Sequence, residues 1–147
     1  KKKIHHRRMD YWPIEEGNGF FGGMIMVDQA GLQTDFGKIG IIICWDFAFP
    51  ETAKRLSENW AQIIFCPSYL LKETKITKEI FRSYPLVRAF ENNVYFVSCD
   101  AFTDEVLGES YICSPLKILN KIKNKEGIIF SELDLQYLAD LKRSFGN

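Results

Sequence analysis

The run "IGIIIC" at residues 39–44 restricts the fold most, because its apolar residues do not alternate with polar ones. Continuous apolar strands of this kind belong to sheets that are covered on both faces, and these occur mainly in α/β proteins. Two further apolar runs, "AQIIFCPS" and "VYFVSC", follow at residues 61–68 and 94–99. Segments with helical spacing separate the three runs, so we predict an α/β layered fold.

The predicted elements alternate between strand and helix and then continue as a series of shorter strands. A hairpin is predicted with its turn at "AGLQ", between strands "MIMVDQ" and "TDFGKIGIIIC". Helices are predicted for "PETAKRLSEN", which begins with a proline, and for "TKEIFRSYPLVRAFENN", in which Pro85 should kink or delay the helix. Shorter strands at "ESYICS", "KILNK" and "GIIFSEL" precede a last amphipathic helix, "LQYLADLKRSF".

Composition excludes several classes of protein. Nineteen basic and nineteen acidic side chains cancel among 147 residues, which argues against nucleic acid or an anionic membrane as the main partner. No apolar stretch approaches the roughly 20 residues that cross a bilayer. The four cysteines lie inside apolar runs, a pattern that favours buried thiols in a reducing compartment over a disulfide framework. We therefore expect a cytoplasmic protein.

Cys44 has two interpretations on the residues alone. A free cysteine in an apolar strand is usually a small hydrophobic residue, and Cys66, Cys99 and Cys113 are interpreted in that way. Cys44, however, ends a buried strand just before a turn and a helix, where open α/β sheets present their ligand sites. A nucleophile at this place would have the backbone N–H of Trp45 available as a donor to an oxyanion.

Six segments in order resemble the nitrilase superfamily, the carbon–nitrogen hydrolases. The nucleophile segment of that family has a cysteine, an aromatic residue and an acid, followed by Phe-Pro-Glu, and here it is "GIIICWDFAFPETAKRL". Its Cys-Trp-Asp form looks most like the aliphatic amidase and N-carbamoyl amine amidase branches. The other matching segments are "KIH", "IIFCPS", "RAFENNVYFVSCD", "GESYICSP" and "EGIIFSELDLQYL".

The resemblance implies part of a layered α-β-β-α sandwich and hydrolysis of a C–N bond through a thioester on Cys44. Lys3 matches the catalytic lysine and would support the oxyanion together with Trp45. The family's general-base glutamate lies well upstream of that lysine, whereas this sequence starts two residues before Lys3. We therefore expect a single domain over residues 1–147 that lacks the N-terminal part of the fold. Asp10 falls where the family often has a second glutamate, and its side chain is one methylene shorter than that of glutamate.

Other matched residues are expected to support the site. Asp46 should cap or pin the turn after the nucleophile, and Arg88 and Glu91 should pair and anchor their helix. The adjacent His5 and His6 have no third ligand at a metal spacing, so neither a metal nor a cofactor is expected.

Two functions remain open at this point. The first is a carbon–nitrogen hydrolase that acts on a small amide or N-carbamoyl amine. The alternative is a non-catalytic nitrilase-like remnant that serves as an interaction or scaffold module. Family members pair through helices near the nucleophile, and a partial layered fold exposes apolar faces, so a homodimer or higher oligomer is expected in either case.

Overall fold

The computed structural model describes residues 7–8, 23–24, 31–72 and 78–145. The strands are β1 Arg7–Arg8, β2 Gly23–Met24, β3 Leu32–Thr34, β4 Gly37–Ile41, β5 Ile63–Ser68, β6 Tyr95–Asp100, β7 Glu109–Ser114 and β8 Lys117–Lys123. The helices are α1 Pro50–Glu58, α2 Lys78–Asn92 and α3 Leu135–Ser144, and a short 3₁₀ helix spans Cys44–Ala48. None of these helices is long and apolar enough to cross a lipid bilayer.

Strands β3 to β8 form one six-stranded sheet in sequence order, and β1 pairs with β2 in a separate antiparallel pair. β4, β5 and β6 run parallel, while the remaining neighbours are antiparallel. Helices α1 and α2 make the two crossovers between the parallel strands, as parallel pairing requires. The predicted α/β class and the order of these central elements are confirmed.

Three predicted details are wrong. The hairpin turn lies at residues 35–36 and not at "AGLQ". Gly37 adopts a φ of 125° there, and the hydroxyl of Thr34 donates a hydrogen bond to the carbonyl of Gly37 at 2.6 Å. α2 runs through Pro85 without interruption, and this proline is buried in the helix. "GIIFSEL" forms no strand, since no strand among the described residues pairs with it.

The main core lies between α1, α2 and one face of the sheet. Ile64, Cys66 and Phe96 point into it and are almost completely buried. α1 approaches β4 closely at Gly40, where an added Cβ would lie 2.8 Å from a methyl group of Leu56. Each large side chain buried here contributes about 1.5–3 kcal/mol to folding.

The opposite face of the sheet is only partly covered by the described residues. Leu138 of α3 packs against Ile63 and Tyr95 in a smaller apolar cluster at one end. Toward the other end, Ile41 and Ile43 remain 48% and 45% exposed. The expectation of a strand covered on both faces is therefore not met by the described part of the chain. The prediction of buried thiols fails here as well, because Cys99 is exposed on β6.

A buried carboxylate on β7 links α2 to β8. Glu109, whose side chain is 6% exposed, accepts hydrogen bonds from Nε and one terminal nitrogen of Arg82 and from the hydroxyl of Tyr111. It also lies 3.2 Å from the ammonium of Lys123. Burial favours the neutral acid, yet the hydrogen bonds from these three donors outweigh it and lower the pKa of Glu109 from 4.5 to about 2. The carboxylate is therefore a stabilising charge at neutral pH.

We predict that Glu109→Gln lowers the free energy of unfolding at pH 7 by about 3 kcal/mol, because it removes the buried anion that pairs with Arg82 and Lys123 and accepts from the buried hydroxyl of Tyr111. A depressed folded-state pKa contributes stability above the unfolded value, and this contribution is lost as pH falls from about 4.5 toward 2. The difference between wild type and variant should therefore shrink over that range in urea titrations. Glu126→Gln, at an exposed residue, serves as the control and should change stability by under about 0.5 kcal/mol. A constant difference down to pH 2 would contradict the assignment.

Candidate active site

Cys44 lies at a sharp turn between β4 and α1. Its φ is +50°, a left-handed conformation that is uncommon for a residue with a side chain. The chain leaves the sheet here and enters the 3₁₀ helix Cys44–Ala48, which we call the elbow. The Cys44 side chain is partly exposed, and its Sγ lies 3.7 Å from the carbonyl oxygen of Tyr69, just beyond β5. The thiol is thus held at the carboxyl edge of the parallel strands, where it remains accessible.

Asp46 closes the elbow from within. Its carboxylate accepts a hydrogen bond from the backbone N–H of Ile43 at 2.9 Å, and its own N–H donates to the Ile43 carbonyl at 3.0 Å. The Asp46 carbonyl accepts from the hydroxyl of Thr52 at 2.7 Å, which ties the elbow to the first turn of α1. Asp46 is 4% exposed, so its carboxylate is engaged in holding the backbone on both sides of Cys44.

Arg88 holds the elbow from α2. Its Nε donates to the carbonyl of Phe47 at 2.8 Å, and one terminal nitrogen donates to the carbonyl of Ala48 at 3.2 Å. The other terminal nitrogen donates to Glu91 at 2.7 Å, and the guanidinium lies 5.2 Å from the ring centre of Tyr84. The Arg88 side chain is 5% exposed, so this charge is buried with its donors paired. The ion pair with Glu91 therefore orients a group whose main contacts are the elbow carbonyls.

The backbone N–H of Trp45 follows Cys44 directly in the chain. Among the residues that the structure describes, none accepts a hydrogen bond from its N–H. Its ring packs edge-on against Phe47 and Phe81, with centroids 6.3 and 5.9 Å apart, which anchors the side chain away from Cys44. The arrangement suits a donor that receives its acceptor from a bound substrate.

Asp100 links the loops on either side of the site. Its carboxylate accepts from the N–H of Leu70 and from the N–H of Gly108, both at 3.0 Å. Burial raises the pKa of Asp100 despite these hydrogen bonds. The loop that supplies the Tyr69 carbonyl to Cys44 is thereby fixed to the next strand. No pattern along the chain indicates this role, because an acid at a strand end has many partners open to it.

The cavity between α2 and the sheet is too small for a substrate. Its volume of about 20 Å³ has room for one water molecule. Its lining is Phe47, Ser68, Leu70, Phe81, Arg82, Pro85, Phe96, Ser98, Asp100, Leu107, Glu109 and Tyr111. Cys44 is not part of it, so the cavity lies behind the elbow and not in front of the thiol.

Of the predicted site residues, the structure brings Cys44, Trp45, Asp46 and Arg88 together around the elbow. Lys3, Asp10 and the pair His5 and His6 lie outside the described residues. Within the described part, no group of three or more His, Cys, Asp or Glu side chains is placed to hold a metal ion.

The carbon-nitrogen hydrolase family model matches residues 2–143. The chain belongs to this family. It is 34% identical over 122 residues to a probable nitrilase of Schizosaccharomyces pombe, covering 77% of this chain and 43% of that protein. It is 27% identical over 132 residues to N-carbamoylputrescine amidase of Arabidopsis thaliana, covering 78% and 44%.

The crystal structure of Saccharomyces cerevisiae Nit3, a member of branch 10 of the nitrilase superfamily, superposes with a TM-score of 0.73. The two sequences are 25% identical, and the match covers 82% of this chain and 46% of the yeast chain. The nitrilase-type fold predicted from the sequence is therefore confirmed. The chain spans less than half the length of these relatives.

We predict that Arg88→Met destabilises the protein by about 3 kcal/mol, because the elbow carbonyls and Glu91 lose a buried cationic donor. Arg143→Met is the matched control, since Arg143 also pairs with an acid three residues away on a helix but is 72% exposed. The control should cost under about 1 kcal/mol. The free energy of unfolding from urea titration measures both, and equal losses would show that the elbow contacts contribute nothing.

Proposed function

We propose that this carbon-nitrogen hydrolase cleaves a small amide or N-carbamoyl amine through a thioester on Cys44. The observation that carries the proposal is the left-handed elbow, which holds an accessible thiol next to a backbone N–H that donates to no acceptor among the described residues. A thiol that served only as a core residue would not need a strained backbone conformation, which costs about 1–3 kcal/mol. The family match and the amidase among the relatives support the same reaction class.

In the first half-reaction, the thiolate of Cys44 attacks the substrate carbonyl carbon and forms a C–S bond. The carbonyl oxygen becomes negative and accepts a hydrogen bond from the N–H of Trp45. Loss of one such donor typically costs about 10²–10³ in rate. Lys3, by resemblance to the family, would add its positive charge. The C–N bond then breaks as the leaving nitrogen takes a proton, releasing ammonia or an amine.

In the second half-reaction, water attacks the thioester, the C–S bond breaks and Cys44 is regenerated. The product is a carboxylic acid, or a carbamic acid where the substrate is an N-carbamoyl amine. Both half-reactions need a group that accepts and returns a proton. In the family this is a glutamate upstream of the lysine, and Asp10 would stand as the second acid. Loss of a general base costs about 10²–10⁴ in rate, so turnover depends on that group.

We predict that Cys44→Ala abolishes ammonia release from propionamide and from an N-carbamoyl alkylamine, because no other group can form the thioester. Cys113→Ala is the control. Cys113 is also buried on the sheet, and burial raises the pKa of its thiol to about 12, so it should be dispensable for turnover. Ammonia is measured by a coupled assay on the full chain. Release that survives Cys44→Ala would exclude this nucleophile.

Lys3→Ala should lower turnover by at least about 100-fold, in line with the loss of an oxyanion partner. Alkylation of Cys44 by iodoacetamide should persist in this variant, because that reaction creates no oxyanion. Wild-type protein that releases no ammonia from any amide, with an unreactive Cys44, would favour the interaction module instead.

We also propose a homodimer that forms through α2. Ile80, Val87 and Phe90 lie along the side of α2 that faces away from the core, and they are 44%, 42% and 57% exposed. A second copy is the occupant that fits best, because related proteins pair through helices near the nucleophile and an apolar stripe of this kind can face its own copy across a two-fold axis.

We predict that Phe90→Glu shifts the protein from dimer to monomer in sedimentation at micromolar concentration, because it buries a charge in the interface. Leu116→Glu is the control. Leu116 is 53% exposed in the turn between β7 and β8 and is not part of α2, so the dimer should persist in this variant. A monomeric wild type, or a dimer that tolerates Phe90→Glu, would contradict this arrangement.

A further inference from the structure

The peptide that joins Cys44 to Trp45 carries two functions at once. Its N–H is the donor proposed for the oxyanion, and its carbonyl points the opposite way because the peptide is trans and planar. Any contact that fixes the carbonyl of Cys44 therefore also fixes the direction of the Trp45 N–H. A strained elbow needs such contacts, since a left-handed residue relaxes unless its surroundings hold it.

The thiol of Cys66 makes a contact of this kind. Its Sγ lies 3.7 Å from the carbonyl oxygen of Cys44, within the range of an S–H···O hydrogen bond. Cys66 is 1% exposed, and burial raises the pKa of its thiol to about 12. The sulfur therefore keeps its proton, and remains a donor, at neutral pH.

Ser68 directs the single proton of this thiol. Its Oγ lies 3.5 Å from the sulfur of Cys66 and 3.3 Å from the carbonyl of the same residue. When the hydroxyl donates to the sulfur, the S–H proton is left to point at the carbonyl of Cys44. Polar contacts thus run from Ser68 to Cys66, two residues apart on β5, and from Cys66 to the carbonyl of Cys44.

We infer that Cys66 is a positioning residue of the active site, whose S–H, oriented by Ser68, holds the Cys44 carbonyl and so aims the Trp45 N–H at the substrate oxygen. The inference adds this role to the one predicted from the sequence, that of a small buried residue of the core. The inference rests on the proposed function, because it assumes that an oxyanion forms beside Trp45. The donor is weak, so its effect should be moderate.

Comparison of two reactions of the same thiol tests this role. Acylation of Cys44 by p-nitrophenyl acetate passes through an oxyanion and releases p-nitrophenolate, which leaves without a proton. Alkylation by iodoacetamide displaces iodide and creates no oxyanion. Both reactions require the thiolate, so the ratio of their rates cancels the thiolate fraction and reports the oxyanion donor. Rates at Cys44 are followed by peptide mass spectrometry on the full chain.

Cys66→Ala should lower the ratio of acylation to alkylation by about five- to tenfold, less than the loss of a whole oxyanion donor. Cys66→Ser should recover most of the ratio, because the hydroxyl again donates. Cys113→Ala is the matched control. It removes the same atoms from an equally buried cysteine on β7, and it should leave the ratio unchanged. Ser68→Ala, which removes the orienting hydroxyl, should give a smaller decrease and replaces Cys66→Ala if that variant does not fold.

The outcomes separate the two proposals. Wild-type Cys44 that is alkylated but never acylated overturns the proposed function, and this inference with it. Wild-type acylation that is unchanged in Cys66→Ala and Ser68→Ala overturns the inference alone. Equal decreases of acylation and alkylation in Cys66→Ala would also overturn it, since they would indicate a general disturbance of the elbow.

Discussion

The buried guanidinium of Arg88 is the contact on which the site depends. It binds two successive carbonyls of the elbow, at Phe47 and Ala48, and so replaces the hydrogen bonds that a continuing strand or helix would have supplied. A buried charge of this kind is costly unless its donors are paired, and here they are paired with backbone and with Glu91. The position of α2 on the sheet therefore sets the position of the turn that carries Cys44.

The elbow is held from three directions. Asp46 ties the backbone before Cys44 to the backbone after it, Arg88 holds the far end of the turn, and the thiol of Cys66 lies under the Cys44 carbonyl. A left-handed residue stores strain that only such surrounding contacts can balance. Since the contacts come from separate elements, α2 and β5 among them, the geometry of the thiol is a property of the whole α/β layer and not of the local sequence.

The sequence predicted the central part of the fold well because the signals there are physical and local. The apolar runs that became β4, β5 and β6 do not alternate, and α1 begins at a proline with acidic Glu51 beside it. The prediction failed where a competing constraint decided. The hairpin turn forms next to Gly37, whose positive φ suits glycine. Pro85 fits within α2 because the packing of the helix on the sheet outweighs one lost hydrogen bond. The Cys44 position followed from its place after β4, but the roles of Cys66 and Asp100 depend on contacts across strands, which no pattern along the chain displays.

The separation along the chain between Arg88 and the Phe47 carbonyl that it binds bears on the order in which contacts form during folding. Arg88 and Phe47 are 41 positions apart in the sequence, and the parallel pairings of β4 with β5 and of β5 with β6 lie in the same part of the fold. Contacts between distant segments form late in folding, because the chain must first close long loops. We therefore expect Cys44 to be an ordinary thiol on the partly folded chain and to acquire its left-handed backbone when α2 docks. Any special reactivity that it has appears together with the finished sheet.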